Sequence, residues 1–254
     1  MTDARSNCAV VILAAGLGTR MKSEKAKVLH EIMGRPMILY VAGAAKAVAG
    51  TQVVLVVGHQ AQQVKATVSE EFDAAYALQE QQLGTGHAVL CAMDHVPEAA
   101  EHVIILCGDV PLLQPRTIVD FVSDHQNAGR DLSILAVELD NPTGYGRLLL
   151  DQNSNLIKIV EEADATGEQK KTKLINTGIY CVEKGFLAEA LGKIGMDNAQ
   201  DEMYLTDIIE IGSRSGKRIG VMIGADSDEV MGVNSRQDLA RAEDLMQKRA
   251  GKKP

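Results

Sequence analysis

The amino-acid sequence predicts an α/β fold with a Rossmann-like, doubly wound mixed sheet. Short apolar runs alternate with amphipathic stretches along the chain, as in sheets whose strands are joined by helices. Two of the amphipathic stretches also end just before a glycine, which is typical of a helix C-terminus. With 254 residues and 46% hydrophobic content, the chain is long enough to bury a complete core.

Five apolar runs are predicted to be strands, and they occupy residues 8–13, 52–57, 103–107, 132–137 and 179–182. The first helix is expected at residues 37–48, because Pro36 precedes it and Gly50 follows it. A similar ending predicts a helix at residues 114–128, before Gly129.

The segment between Tyr145 and Glu161 alternates apolar and polar residues around a polar centre at 151–155, which predicts a β-hairpin. We expect this small antiparallel subregion to cover the substrate side of the sheet. After Ser235, apolar residues at helical spacing predict a last amphipathic helix. The sequence thus predicts one domain over residues 1–254, with a core at about 8–234 and a C-terminal helix and tail at 235–254.

Composition excludes several classes of protein. The net charge of -8 and the pI near 5.3 argue against a general binder of nucleic acids or membrane surfaces, which would favour a basic field. The four cysteines are widely spaced, and no histidine is spaced for a zinc site, so buried free thiols in a reducing cytosol are expected. Neither a leader segment nor an apolar run of about 18 residues is found. We expect a soluble cytoplasmic protein, whose oligomeric state the sequence leaves open.

The loop after the first predicted strand is the most informative segment. Residues 13–21 read LAAGLGTRM, and Lys27 follows. Gly16 and Gly18 remove two side chains, so backbone N–H groups can approach phosphate oxygens. Arg20 adds a forked cation, and Lys27 adds a point charge that can reach a different phosphate. The segment therefore indicates a site that grips a nucleoside triphosphate.

This loop has three other interpretations. The dinucleotide-binding pattern G-x-G-x-x-G requires glycine where Met21 stands, and an acid about 20 residues further on. The P-loop pattern matches Gly16, Lys22 and Ser23, but Met21 again replaces a required glycine. An ordinary strand-to-helix turn with surface charges is the third interpretation.

The whole string resembles the signature L-x-x-G-x-G-T-R-M-x(5)-K of the sugar-1-phosphate nucleotidylyltransferases. Further matches follow in the family's order between about Cys8 and Ala240, at residues 79–87, 108–109, 144–147, 160–161, 176–178 and 232–234. The chain is most similar to the uridylyltransferase domain of bacterial bifunctional enzymes that act on N-acetylglucosamine-1-phosphate. The hexapeptide repeat of their acetyltransferase domain is not found in this sequence.

The resemblance implies an Mg²⁺-dependent transfer of a uridylyl group from UTP to N-acetylglucosamine-1-phosphate, which releases pyrophosphate. Arg20 and Lys27 would act on the phosphates, and Asp109 and Asn234 would bind the metal. Asp109 is also expected at the carboxyl edge of the sheet, because it follows an apolar strand. The competing interpretation of Asp109 is a helix N-cap.

The resemblance also implies two sets of binding residues. The nucleotide contacts are Leu13, Ala14, Ala15, Gly16, Gly18, Gln79, Gln82, Gly84 and Thr85. The sugar contacts are Gly146, Glu161, Asn176, Thr177, Tyr204 and Thr206. Residues 79–82 could instead form a solvated polar loop, Tyr204 could pack in the core, and His87 is expected to support its turn.

Two residues depart from the family pattern. Cys107 stands where the matched enzymes usually carry tyrosine, and Ala163 stands where close relatives tend to have lysine. These changes leave other substrates open, such as glucose-1-phosphate with UTP or dTTP, or a phosphorylated alcohol with CTP. A different class of function, a nucleotide-sugar-binding subunit without catalysis, is the remaining alternative.

Overall fold

A mixed nine-stranded sheet forms the centre of the protein over residues 7–251, the part that this computed structural model describes. Residues 1–6 and 252–254, which include the end of the predicted tail, lie outside the described residues. The strands are β1 (Cys8–Ala14), β2 (Glu31–Ile32), β3 (Arg35–Pro36), β4 (Val53–Val57), β5 (Ala75–Leu78), β6 (His102–Cys107), β7 (Leu132–Glu138), β8 (Arg147–Leu150), β9 (Leu156–Val160), β10 (Leu174–Glu183) and β11 (Ile219–Ile223).

The order of the main sheet is β11-β7-β10-β6-β1-β4-β5, and the hairpin β8–β9 joins it through β10. Strand β1 lies between β4 and β6 and is parallel to both, whereas β10 is antiparallel to β6 and β7. The carboxyl ends of β1, β4 and β6 therefore meet at one edge of the sheet, where α/β enzymes bind their ligands. Strands β2 and β3 form a separate two-stranded hairpin.

Helices cover both faces of the sheet, which confirms the predicted doubly wound fold. They are α1 (Met37–Ala49), α2 (Ala61–Ser69), α3 (Thr85–Ala92), α4 (Pro115–Asn127), α5 (Lys184–Leu191), α6 (Asp207–Arg214) and α7 (Arg236–Gly251). Residues of α1, α2 and α4 pack on one face, and residues of α3, α5 and α6 pack on the other. Strand β4 is buried along its whole length and β1 along nearly all of it, which explains their continuous apolar sequences.

All five predicted strands are present, and the β8–β9 hairpin and α7 lie where the sequence predicts them. The largest difference is β10, which begins five residues earlier than expected, at Leu174. A bulge between Asn176 and Ile179 shifts its pairing with β7, and polar residues in this part hide the strand in the sequence. Within residues 7–251, each helix is too short or too polar to cross a lipid bilayer.

The fold brings two histidines and a cysteine together. His102, His125 and Cys181 come from β6, α4 and β10, and their donor atoms all lie within 4.8 Å of one another. These residues are far apart along the chain and are brought together only by the sheet order, so their spacing in the sequence does not indicate the cluster.

Helix α7 packs against its own domain, as its apolar stripe predicts. Ala242 is fully buried, and Leu239 and Met246 pack on the same apolar cluster as Ile32 and Val233. The helix begins with a capping box, in which Asp238 accepts the backbone N–H of Ser235 at 2.8 Å. The apolar contacts and the cap together fix the segment that precedes the helix.

A buried arginine holds the β8–β9 hairpin to the loop that follows it. The Arg147 side chain is 1% exposed, and its Nη2 lies 2.7 Å from Glu162 Oε2. Arg147 also donates to the Tyr145 carbonyl oxygen. The hydrogen bond from Arg147 holds the pKa of the Glu162 carboxyl below its usual range.

The variant Arg147→Ala should lower the free energy of unfolding by about 3 kcal/mol, because it leaves partners of a buried ion pair unsatisfied. Urea unfolding followed by circular dichroism measures this change. The matched control is Lys170→Ala, since exposed Lys170 pairs with the same Glu162 at 3.5 Å and should contribute less than about 1 kcal/mol. Equal losses in the two variants would contradict the importance of the buried arginine.

Candidate active site

The glycine loop leaves β1 at the carboxyl edge of the sheet. Gly18 has a φ of +63°, and a Cβ there would lie 2.6 Å from the Lys27 Cβ, so this position requires glycine. Gly16 has open space around the position of a Cβ. A 3-10 turn at Thr19–Met21 follows, with Met21 buried beneath it. The chain then continues to the β2–β3 hairpin, so the segment is neither a P-loop nor an ordinary strand-to-helix turn.

Four predicted functional residues converge at this edge. Lys27 Nζ contacts Asp109 Oδ2 and donates to Asn234 Oδ1 at 2.9 Å. Arg20 Nη2 donates to the same Asn234 oxygen at 2.8 Å. Lys27 and Asp109 are mostly buried, with side chains 17% and 15% exposed, whereas Arg20 is exposed. The site therefore combines two cations with two oxygen donors from three distant parts of the chain.

The backbone around Asp109 explains this convergence. Gly108 follows β6, and a Cβ there would lie 3.0 Å from the Leu13 carbonyl oxygen, so the two strand ends approach closely. Val233 N donates to the Asp109 carbonyl oxygen at 2.8 Å, which brings Asn234 beside it. Helix α4 begins only at Pro115, so Asp109 is not its N-cap. The structure therefore does not support the interpretation of Asp109 as a helix N-cap.

A cavity of about 440 Å³ opens beside this cluster. Lys27 and Asp109 line one side of it. Each predicted nucleotide contact also lines it: Leu13, Ala14, Ala15, Gly16, Gly18, Gln79, Gln82, Gly84 and Thr85. Residues from the ends of β1, β5 and β6 and from the start of α3 therefore surround one concave site.

Some of the polar residues at 79–82, which follow β5, face the cavity and others face solvent. Gln79 is 3% exposed, and its Nε2 donates to the Gly84 carbonyl oxygen at 3.0 Å and lies 3.1 Å from His87 Nδ1. Gln82 Nε2 donates to the Gln79 carbonyl oxygen at 3.2 Å. Glu80, by contrast, is exposed. His87 supports the turn as predicted, and the side-chain amide of Gln79 is held in a fixed orientation.

The Gly84-Thr85-Gly86 turn packs tightly against the segment before α6. A Cβ at Gly84 would lie 2.6 Å from the Met203 carbonyl oxygen, so this position cannot carry a side chain without a shift. Gly86 N donates to that oxygen, and Met203 N donates to the Leu83 carbonyl oxygen, both at 2.7 Å. Two backbone hydrogen bonds therefore join the turn to the residues that precede Tyr204.

Three of the predicted sugar contacts lie together beside β8 and α6. Thr206 Oγ1 donates to Glu161 Oε1 at 3.1 Å. A Cβ at Gly146 would lie 3.2 Å from the other oxygen of this carboxyl, so glycine leaves space beside that oxygen. Burial raises the pKa of Glu161, although the hydrogen bond from Thr206 opposes the shift.

The other predicted sugar contacts are bonded within the protein. Asn176 Nδ2 donates to the Tyr180 hydroxyl at 2.8 Å, and its Oδ1 accepts Gly178 N at 2.7 Å. Thr177 is buried and donates to the Leu135 carbonyl oxygen at 2.6 Å, at the bulge of β10. Tyr204 is 7% exposed and donates to Gln200 Oε1 at 2.9 Å, so it packs as its competing interpretation predicts.

The two departures from the family pattern have different surroundings. Cys107 lines the cavity, and its thiol donates to the Gly178 carbonyl oxygen at 3.6 Å. Burial raises the pKa of this thiol to about 12, so Cys107 is neutral. Ala163 is exposed after β9.

Sequence reasoning missed two residues at the site. Glu202 lines the cavity beside the glycine turn, and burial raises its pKa. Gln60 follows β4 and braces the charged loop, since its Oε1 accepts Ala26 N at 2.8 Å and its Nε2 donates to the Glu24 carbonyl oxygen at 2.9 Å. The position of Gln60 after a buried parallel strand was a usable signal, whereas Glu202 lies in a loop without a motif.

Known proteins are similar to this chain in sequence or in fold. The family model of the MobA-like NTP transferase domain matches residues 10–176. The chain is 46% identical over 96% of its length to the bifunctional protein GlmU of Pelobacter propionicus. It is 49% identical over 95% of its length to the bifunctional protein GlmU of Syntrophotalea carbinolica. The chain spans about half the length of these curated relatives, 53% and 52%.

A solved structure of UDP-glucose pyrophosphorylase complexed with UDP-glucose has a similar fold, with a TM-score of 0.76 and 18% sequence identity. The match covers 96% of this chain and 99% of that chain. The family model covers more than half of the chain and includes the glycine loop, Asp109 and Glu161. The chain therefore belongs to the family of MobA-like NTP transferase domains.

Proposed function

We propose that this protein transfers a uridylyl group from UTP to N-acetylglucosamine-1-phosphate in the cytoplasm, forming UDP-N-acetylglucosamine and pyrophosphate. The convergence of Lys27, Arg20, Asp109 and Asn234 beside a cavity is the observation that carries this proposal. The similarity to bifunctional GlmU proteins supports it, because the aligned part is nearly the whole of this chain. Turnover distinguishes this proposal from that of a binding subunit.

Both substrates are anions, so the protein must hold two like charges in line and stabilise the departing pyrophosphate. An oxygen of the sugar phosphate attacks the α-phosphorus, and the bond to the β-phosphate oxygen breaks. The nucleophile is already ionised at neutral pH, so the reaction requires positioning and cations without a general base. Lys27 is assigned to the α-phosphate and the incoming sugar phosphate, and Arg20 to the β- and γ-phosphates.

The oxygens of Asp109 and Asn234 suit Mg²⁺, which prefers hard oxygen ligands and few protein side chains. Both oxygens already contact one cationic group, the Lys27 ammonium, so they are directed towards a common position for positive charge. Asp109 and Asn234 would therefore hold the ion. When bound, Mg²⁺ would neutralise negative charge on the triphosphate.

Gln79 is proposed to select the base. The edge of uracil presents one N–H between two carbonyl groups. Because Gln79 Nε2 is directed to Gly84 and His87, its Oε1 is available to accept that N–H. Gln82 and the backbone of the glycine turn lie beside it in the cavity wall and would meet the carbonyl groups.

The sugar is proposed to bind at Glu161, Gly146 and Thr206. Glu161 keeps one oxygen bonded to Thr206 and the other beside Gly146, where a sugar hydroxyl can donate to it. Asn176 and Tyr204 would have to exchange an internal hydrogen bond for a sugar contact. Thr177 is better explained as a support of the β10 bulge.

A pyrophosphate-release assay can combine UTP, dTTP or CTP with N-acetylglucosamine-1-phosphate or glucose-1-phosphate. The pair UTP and N-acetylglucosamine-1-phosphate should give the highest kcat/KM. The variant Lys27→Ala should lower kcat by about 10²–10³, as expected for a lost contact to developing charge. Lys25→Ala is the control, because exposed Lys25 lies in the same loop but bonds Glu31. Activity confined to CTP, or normal turnover by Lys27→Ala, would reject the assignment.

The variant Glu161→Gln should raise KM for the sugar phosphate by about 10-fold and leave KM for UTP unchanged, because one charged hydrogen bond to the sugar is weakened. In the unmodified protein, this KM should also rise as the pH falls through the raised pKa of Glu161. Steady-state kinetics over a range of pH measures both effects. The exposed Glu168→Gln serves as control, and an unchanged KM for the sugar phosphate in Glu161→Gln would contradict the role.

Gln60 is proposed to position the charged loop, because it bonds the backbone on both sides of Lys25. Gln60→Ala should lower kcat by about 10-fold or more with little change in KM, since a small displacement of Lys27 weakens transition-state contacts. Gln60→Glu keeps the acceptor for Ala26 N and should recover part of the loss. Exposed Gln62→Ala is the matched control, and an equal loss there would refute the bracing role.

A further inference from the structure

Two histidines and a cysteine meet at the end of the sheet that lies away from the proposed active site. His102 is the first residue of β6, His125 lies on α4, and Cys181 lies near the end of β10. We call these three residues the His-His-Cys cluster. Asp109 follows the opposite end of β6, and a six-residue strand spans roughly 20 Å. The cluster is therefore separate from the site described above.

The distances within the cluster are close to those of a tetrahedral zinc site. His125 Nε2 lies 3.2 Å from His102 Nδ1, and each donor atom lies within 4.8 Å of the other two. Two nitrogens about 2.0–2.1 Å from one zinc ion would lie about 3.3 Å apart, and a nitrogen and a thiolate sulfur about 3.6 Å apart. The two nitrogens already have about this separation, and a sulfur 4.8 Å from them would need to move closer by about 1.2 Å.

Neighbouring residues orient these donors. Ser133 Oγ lies 2.8 Å from His125 Nδ1, and Ser133 is directly opposite Cys181 in the β7–β10 pairing. When His125 Nδ1 donates its proton to this oxygen, the lone pair of Nε2 faces the cluster. The two imidazole rings are almost perpendicular, with an angle of 86° and a centroid distance of 5.0 Å. Each ring can thus direct one nitrogen towards a shared ion.

Burial and donor chemistry narrow the choice of ion. His125 and Cys181 are fully buried and His102 is partly exposed, so we expect an ion to enter from the side of His102. Two imidazoles and one sulfur suit zinc or a similar transition metal, and do not suit Mg²⁺ or Ca²⁺.

We propose that His102, His125 and Cys181 form a binding site for one Zn²⁺ ion, with water as the fourth ligand. On binding, the Cys181 thiol releases its proton to solvent and the thiolate sulfur bonds to the metal. The hydrogen bond between the two histidines is replaced by two metal–nitrogen bonds. The ion would join β6, β10 and α4, so it would stabilise the fold at the amino end of β6.

Cobalt(II) is the probe, added to the full chain after treatment with a chelator. We expect one equivalent to give visible ligand-field bands and a near-ultraviolet thiolate-to-cobalt charge-transfer band, both displaced by zinc and unaffected by excess Mg²⁺. Cys181→Ser should remove the charge-transfer band, and Ser133→Ala should weaken cobalt affinity by about 10- to 100-fold. The matched control is Cys91→Ser, because the Cys91 thiol lies near a different histidine, His87. This variant should keep the band.

Circular dichroism measures whether each variant is folded. If Cys181→Ser does not fold, His102→Gln provides the test, because this partly exposed residue should tolerate the change while losing tight cobalt binding. Asp109→Asn should retain the full cobalt spectrum, which separates this site from the proposed magnesium site. The proposal would be overturned if the unmodified protein gave no charge-transfer band. It would also be overturned if the band persisted in folded Cys181→Ser, or if His102→Gln bound cobalt with full affinity. Any of these results would indicate a hydrogen-bonded core cluster only.

Discussion

The contact of the Lys27 ammonium with Asp109 and Asn234 is the interaction on which the rest of the site depends. It joins the glycine loop, the end of β6 and the segment before α7, which are far apart in the sequence. Burying an ammonium group is costly unless oxygen partners surround it. The loop is therefore held against the sheet by the same groups that the proposed reaction would use, and a triphosphate would compete for Lys27 with its resting partners.

The surrounding architecture serves to bring these groups to one place. Parallel strands β1, β4 and β6 end at the same edge of the sheet. The glycine loop, Gln60 and Asp109 therefore approach one another, although they are far apart along the chain. Antiparallel β10 adds the proposed sugar side, and α7 fixes Asn234 through the Asp238 cap and its apolar face. The sheet order thus accounts for the location of each part of the site.

Sequence patterns predicted the parts of the molecule that depend mainly on neighbouring residues in the chain. The buried central strands are continuous apolar runs, and the grouped motif of residues 13–27 carries its own chemistry, so both were accessible from the sequence. Contacts between residues that only the fold brings together could not be predicted from the sequence. Gln60 is ordinary as a residue type, and His102, His125 and Cys181 have no informative spacing. Thr177 matched a family motif, but its hydroxyl is bonded to the backbone at a bulge that sequence patterns do not reveal.

The backbone bonds between the Gly84 turn and Met203 have a thermodynamic consequence. The turn proposed to bind the base and the loop leading to the proposed sugar-binding residues form one mechanical unit, because Gly86 and Leu83 are each bonded to Met203. A ligand that orders one half of this unit also reduces the entropy that the other half loses later. Nucleotide and sugar affinities should then be linked reciprocally, so that each substrate tightens the binding of the other by the same factor.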